Sequence, residues 1–100
     1  MSEKFKHFQI LDEIYSVIDL RKKTRKKNSY TYKLIKSGKK RVAQKVVEES
    51  SELAIDFLNG SKKRTISEAA DLFFHILVLL NIKKILHKEI AKELKSRHKK

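Results

Sequence analysis

A chain of 100 residues with 40% hydrophobic content can bury one modest core, so a single domain over 1–100 is expected. It has no cysteine, which excludes disulfides and thiolate metal sites and fits an intracellular, cytoplasmic setting. With no proline, two glycines, no strand-type alternation and a formal net charge of +13, it reads as an all-α, strongly basic protein.

The first helix is expected over residues 5–22, with Phe8, Leu11, Ile14, Tyr15 and Ile18 on one face and Arg21 extending that face at its C-terminal end. Residues 1–20 are amphipathic rather than continuously apolar, so no secretory leader is expected. From Arg21 to Asn28 the periodicity is lost and the chain reads as a loop. Ser29 is placed to cap a short helical turn through Leu34 and Ile35, ended by Ser37-Gly38. A long helix then runs from Lys39 to Leu58 and stops at Asn59-Gly60. Thr65-Ile66-Ser67-Glu68 fits a capping box opening the next helix, roughly 66–81. That helix is apolar on every side from Leu72 to Leu80, a stretch too short to span a bilayer and interrupted by His75, which reads as a core histidine. A last amphipathic helix, about 83–98, offers Ile85, Leu86, Ile90 and Leu94 to the interior, with a frayed tail at 98–100. The fold expected is therefore four to five helices. A helix apolar all round needs cover on all sides, so a bundle completed by a homodimer is the economical arrangement.

The charges are unevenly distributed. From Arg21 to Lys45 there are twelve basic residues and no acid, whereas six of the chain's twelve acids lie between Glu48 and Asp71. On a helix, Glu48, Glu49 and Glu52 fall within an arc of roughly 100°. Glu68 and Asp71, three apart, are neighbours on theirs. Glu49 interrupts the apolar series Val42, Val46, Leu53, Phe57, where a carboxylate is costly unless its charge is compensated. No run of cations near Leu53 or Phe57 offers that compensation. Four or five carboxylates on two facing helices make a hard-oxygen site, best suited to Mg²⁺, with Mn²⁺ as an alternative. A solvated acidic face, and a capping role for Glu68, are the plainer readings. A cationic segment beside such a cluster suggests a polyanionic ligand whose metal the acids hold.

Arg41-Val-Ala-Gln-Lys45-Val-Val-Glu48-Glu49-Ser-Ser-Glu52 and Glu68-Ala-Ala-Asp71-Leu-Phe-Phe-His75-Ile-Leu-Val-Leu-Leu80, with Ile18-Asp-Leu-Arg21, Ser29-Tyr30-Thr31, Gly38 and Glu93-Leu-Lys-Ser-Arg97, resemble the phosphoribosyl-ATP pyrophosphatases of histidine biosynthesis, within the MazG-like all-α pyrophosphatases. The resemblance spans nearly the whole chain. Val47, Ser50, Phe74 and the stretch from Asn81 to Lys88 depart from the family's usual pattern, and Val47 is expected to press on helix packing. The resemblance implies Mg²⁺-dependent hydrolysis of phosphoribosyl-ATP to phosphoribosyl-AMP and pyrophosphate. It implies metal held by Glu48, Glu49, Glu52, Asp71 and Glu68, with Glu49 or Glu52 taking a proton from water. Lys45 is then placed to meet leaving pyrophosphate, while Arg21, Ser29, Tyr30 and Thr31 position substrate; Arg97 matches by family position. A homodimer and a transient contact with the next pathway enzyme are the implied partners. Two alternatives stand beside this reading. One is a MazG-like hydrolase of other nucleotides, against which the Ser29-Tyr30-Thr31 segment argues. The other is an inactive basic nucleic-acid binder, against which the lack of a recognition helix and of stacking aromatics argues. No membrane association is expected.

Overall fold

The computed structural model describes residues 8–25 and 28–98, and every regular element among them is a helix. In chain order these are α1 (Gln9–Thr24), α2 (Tyr30–Lys36), α3 (Lys39–Asn59), α4 (Lys62–Ile82) and α5 (His87–Arg97). The expected first turn over 5–7, Lys26 and Lys27 of the expected loop, and the tail at 99–100 lie outside the described residues.

α1 runs to Thr24 and closes on Arg25, whose left-handed backbone (φ 52°) returns its N–H to the Arg21 carbonyl at 3.1 Å. The loop expected from Arg21 is therefore helical at its start, since lysine and arginine sustain a helix as well as leucine does. α2 begins where Ser29 accepts the Tyr32 N–H at 3.2 Å, the cap read from the sequence. Gly38, at φ +99°, makes the turn into α3 that a side chain would strain.

α3 and α4, 21 residues each, form the main packing unit as an antiparallel hairpin joined by Gly60 and Ser61. At its closed end Asp56 is buried (6% exposed); its carboxylate accepts Arg64 Nε at 3.2 Å and its carbonyl accepts the Gly60 N–H at 2.8 Å. A Cβ on Gly60 would lie 2.8 Å from Asp56 Oδ1 and 2.9 Å from its carbonyl oxygen, so only glycine fits the corner. α4 begins four residues before the expected start. Ser61 caps it by accepting the Arg64 N–H at 3.1 Å, and the Thr65 hydroxyl bonds back to the Ser61 carbonyl at 2.9 Å. Thr65 is thus inside the helix, and the expected Thr65–Glu68 capping box does not form; Glu68 is left for another role.

The core gathers Ile18 of α1, Leu34 of α2, Val42 of α3, and Leu77 and Val78 of α4, with Leu11, Ile14, Tyr15, Ile35, Phe74, Leu79 and Ile82 packed around them. Burying these side chains stabilises the fold by roughly 1.5–3 kcal/mol each before entropy is subtracted. Polar side chains bind the ends together. Tyr15 donates to the Ile85 carbonyl at 2.7 Å, Asn81 donates to Asp19 at 3.4 Å, and His87 pairs with Asp12.

Three expectations about burial need correction for the single chain. α5 does not bury its apolar face: Leu86, Ile90 and Leu94 are exposed, Leu94 at 64%. Phe57, placed in the buried stripe of α3, is exposed at 74%, and Asp56 takes the inward position. Val47 is exposed, so its bulk does not press on the packing of the chain. α4 is open along its first half, with Ile66 and Phe73 outward, whereas every residue from Phe74 to Ile82 is buried or half-buried, close to the all-round cover expected. By length and composition it does reach the size of a bilayer span, against the expectation; 22% of its most apolar window is buried here. Glu68, Asp71, His75 and Asn81 give it polar side chains along much of its length, which suits a core helix carrying a site.

Candidate functional site

The hairpin brings the two acidic clusters face to face. Glu49 of α3 and Glu68 and Asp71 of α4 each offer a carboxylate oxygen, and these three oxygens lie within 4.8 Å of one another. Glu49 is buried (7% exposed), as its place in the apolar stripe suggested. Its charge is compensated from within the chain after all: Lys45 Nζ stands 3.3 Å from Glu49 and 3.5 Å from Glu48. Burial alone would lower the Lys45 pKa, but the hydrogen bond to Glu49 and the negative fields of its neighbours outweigh it and hold the ammonium above its usual value. Glu48 also meets Arg41 at 3.4 Å. It therefore faces cations, outside the three-carboxylate group.

Glu68 is the strained member. Its Oε2 is shut off from solvent with no hydrogen-bond partner among the described residues. Desolvation, a proton-sharing contact with Glu52, and repulsion from Glu52, Asp71 and Glu49 raise its pKa above the ordinary carboxylate value. Glu52 itself is exposed beside Glu68 and has no ion pair among the described residues. Glu52, Glu68 and Asp71, without an ion pair among the described residues, leave an excess of negative oxygen donors that a hard divalent cation would relieve.

A second layer fixes α4 to α2. His75 Nδ1 lies 2.7 Å from the Asp71 carbonyl, which can only accept, so Nδ1 carries the proton. Nε2, the other ring nitrogen, lies 2.9 Å from the Tyr30 hydroxyl and is the one left to accept from it. The Tyr30 ring also leans on Phe74 and His75. Tyr30 thereby reaches the main-chain carbonyl of Asp71 through His75. Ser29 spends its hydroxyl on the cap, Thr31 is half-buried on α2, and Arg21 is half-buried in the last turn of α1 with no side-chain bond among the described residues. Arg97 pairs with Glu93 at 2.8 Å on the exposed α5. Of the expected substrate contacts, Lys45 and Tyr30 are therefore the two tied to the acidic group. The sequence reading missed Asp56 and Arg64, whose only signal was an acid beside a helix stop followed eight residues later by an arginine.

Fold and site together define an all-helical protein with a carboxylate centre between two antiparallel helices, oxygen-rich and flanked by cations. The family is shown by comparison. The profile of the phosphoribosyl-ATP pyrophosphohydrolases matches residues 11–98, and the chain belongs to that family of hydrolases. It is 46% identical over 91 residues to a phosphoribosyl-ATP pyrophosphatase of Sulfolobus acidocaldarius, covering 91% of this chain and 96% of the relative. It is also 46% identical over 92 residues to the protein of that name from Methanocella arvoryzae, covering 90% and 97%. With that of Sulfurisphaera tokodaii the identity is 40% over 90 residues, covering 90% and 96%.

Proposed function

We propose that this chain hydrolyses phosphoribosyl-ATP between the α and β phosphates, giving phosphoribosyl-AMP and pyrophosphate, as the second step of histidine biosynthesis in the cytoplasm. The observation that carries the reading is the meeting of Glu49, Glu68 and Asp71 within 4.8 Å, with the Glu68 Oε2 buried and unpartnered, in a chain of this family. These three carboxylates fit Mg²⁺, or Mn²⁺ in its place. When bound, the ion would polarise the phosphoryl group and make a water more acidic. Glu52, at the exposed rim and free of ion pairs, takes the proton of the attacking water, with Glu49 as the inner carboxylate. Lys45 holds Glu48 and Glu49 in place. His75 and Tyr30 fix α2 against the site, so that Ser29 and Thr31 border the substrate with Arg21. The exposed apolar faces of α4 and α5 support a homodimer.

The test is pyrophosphate release from phosphoribosyl-ATP with and without Mg²⁺, beside the common nucleoside triphosphates. Metal-dependent turnover of phosphoribosyl-ATP, well above the others, is expected. Preference for a common triphosphate would move the chain to a different nucleotide hydrolase, and absence of all turnover would end the reading.

A further inference from the structure

Beside the carboxylates lies a groove of about 260 Å³ lined by Glu52, Ile55, Asp56, Arg64 and Glu68. Two of its walls are acids of the proposed centre, so whatever occupies it is close to the reacting atoms. Its single cation is oriented. Asp56, buried, takes the Arg64 Nε–H at 3.2 Å, which leaves Nη1 and Nη2 without partners among the described residues. A guanidinium has five donors in a rigid fork, and only one is engaged here. The Arg64 side chain is otherwise 72% exposed, so the buried carboxylate is what aims it.

The start of α4 adds an independent point. Lys62, Lys63 and Arg64 open that helix, with no acid in its first turn. Cations there oppose the positive end of the helix dipole; Asp56 offsets that cost for Arg64, while Lys62 and Lys63 have no ion pair among the described residues, and a bound anion would reverse the remainder. Lys45, the cation the sequence offers for a leaving phosphate, is already engaged by Glu48 and Glu49. The open donors are on the other side, at Arg64.

We propose that Arg64, aimed by Asp56, binds the pyrophosphoryl leaving group. The inference rests on the hydrolytic reading above. In that reaction a water oxygen bonds to the α-phosphorus, the bond from that phosphorus to the bridging oxygen breaks, and its electron pair leaves with the β-phosphate. The water's proton passes to a carboxylate. The diphosphate is joined directly to the reacting phosphorus, so it is the part of the substrate that fits a groove sharing Glu52 and Glu68 with the centre. Negative charge grows on it as the bond breaks, so the contact with Arg64 strengthens toward the transition state.

Steady-state hydrolysis and product inhibition by inorganic pyrophosphate and by phosphoribosyl-AMP test this in the full chain. In Arg64→Gln, kcat should fall about tenfold or more with KM little changed, the scale of a charge-assisted bond. The inhibition constant for pyrophosphate should rise by a similar factor while that for phosphoribosyl-AMP stays within about twofold. The double variant Asp56→Asn, Arg64→Gln leaves no unpaired buried carboxylate, and it carries the test if the single variant does not fold. Calorimetric binding of pyrophosphate with Mg²⁺ reads the same contact without turnover, so an inactive wild type would count against the hydrolytic reading and still leave Arg64 decided. Unchanged pyrophosphate affinity in a folded variant, or equal weakening toward both products, would overturn the assignment.

Discussion

The α3–α4 hairpin and α5 have the same kind of sequence pattern, apolar residues at helical spacing with charges between them, yet they end in opposite states. The hairpin buries Val42, Leu77 and Val78 and holds its acids against each other. α5 leaves Ile90 and Leu94 in solvent, fastened to the rest at its start, where Tyr15 meets Ile85 and His87 meets Asp12. Periodicity reports that a face seeks cover; it does not report whether the cover lies in the same chain. The hairpin is covered because a two-residue connector forces its halves together and α1 and α2 pack Ile18 and Leu34 against them, whereas the apolar face of α5 meets no such neighbours.

The sharpest way to break this contrast is to place the same charge on both. Leu77→Glu buries an unpaired carboxylate in the core and should cost more than about 3 kcal/mol, enough to unfold the chain, by denaturant titration. Leu94→Glu should leave the folding of the single chain within about 0.5 kcal/mol and act instead on association, read by sedimentation. Equal effects of the two would dissolve the distinction.

Next in size is Glu68→Gln, which removes the strained acid of the hairpin. The raised Glu68 pKa means that the folded chain binds this proton more tightly than the unfolded chain. Its stabilising contribution is complete below the ordinary value of 4.5 and is lost as pH rises through the raised folded value. Asp19 works the other way. Hydrogen bonds from Lys23 and Asn81 lower its pKa, so its contribution is present above 3.8 and lost as pH falls through the lowered value. Metal-free Glu68→Gln should therefore melt higher than wild type at neutral pH. Its advantage should shrink on acidification, its stabilisation by Mg²⁺ should be blunted, and its hydrolysis should be largely lost. A variant that melts lower than wild type at pH 7 would show Glu68 to be a structural partner.

Tyr30→Phe is a smaller perturbation. It leaves His75 Nε2 without its donor and should cost about 1 kcal/mol in a thermal melt, with a loss of turnover if α2 borders the substrate. Unaltered stability would mean that the Tyr30–His75 bond is not kept in solution. The smallest change is at the joint between the compared regions. Lys84 sits at φ 60° after α4, with Lys84 N–H on the Asn81 carbonyl at 3.0 Å and Ile85 N–H on the Leu80 carbonyl at 2.9 Å. That hydrogen-bond pair usually closes around glycine, so Lys84→Gly should stabilise the chain by roughly 0.5–1 kcal/mol in denaturant.

Much of this was legible beforehand. α3, expected over 39–58, spans Lys39–Asn59, and Ser29 caps α2, because both rest on local chemistry: a glycine stop and a serine ahead of an apolar turn. The burial of Glu49 followed from its place in the stripe. What failed depended on neighbours. Two serines and a threonine preceded Glu68, and tertiary packing selected Ser61 as the cap because Thr65 could bond back to the Ser61 and Asp56 carbonyls. The Asp56–Arg64 pair was hidden because nothing in a helical repeat marks a buried aspartate whose partner lies across a corner.

The tether from Tyr15 to Ile85 joins residues 70 apart, and Asn81 reaches Asp19 across 62. The hairpin, by contrast, closes through bonds eight or nine residues long, Arg64 and Thr65 to Asp56. Emerging from a ribosome, α1 therefore waits for the end of α4 before the bonds of Tyr15 to Ile85 and of Asp19 to Asn81 can form, though it is synthesised first. The order of synthesis and the order of consolidation run in opposite directions along this chain, and local closures tend to form before distant ones. Pulsed hydrogen exchange during refolding should find α3 and α4 protected ahead of α1.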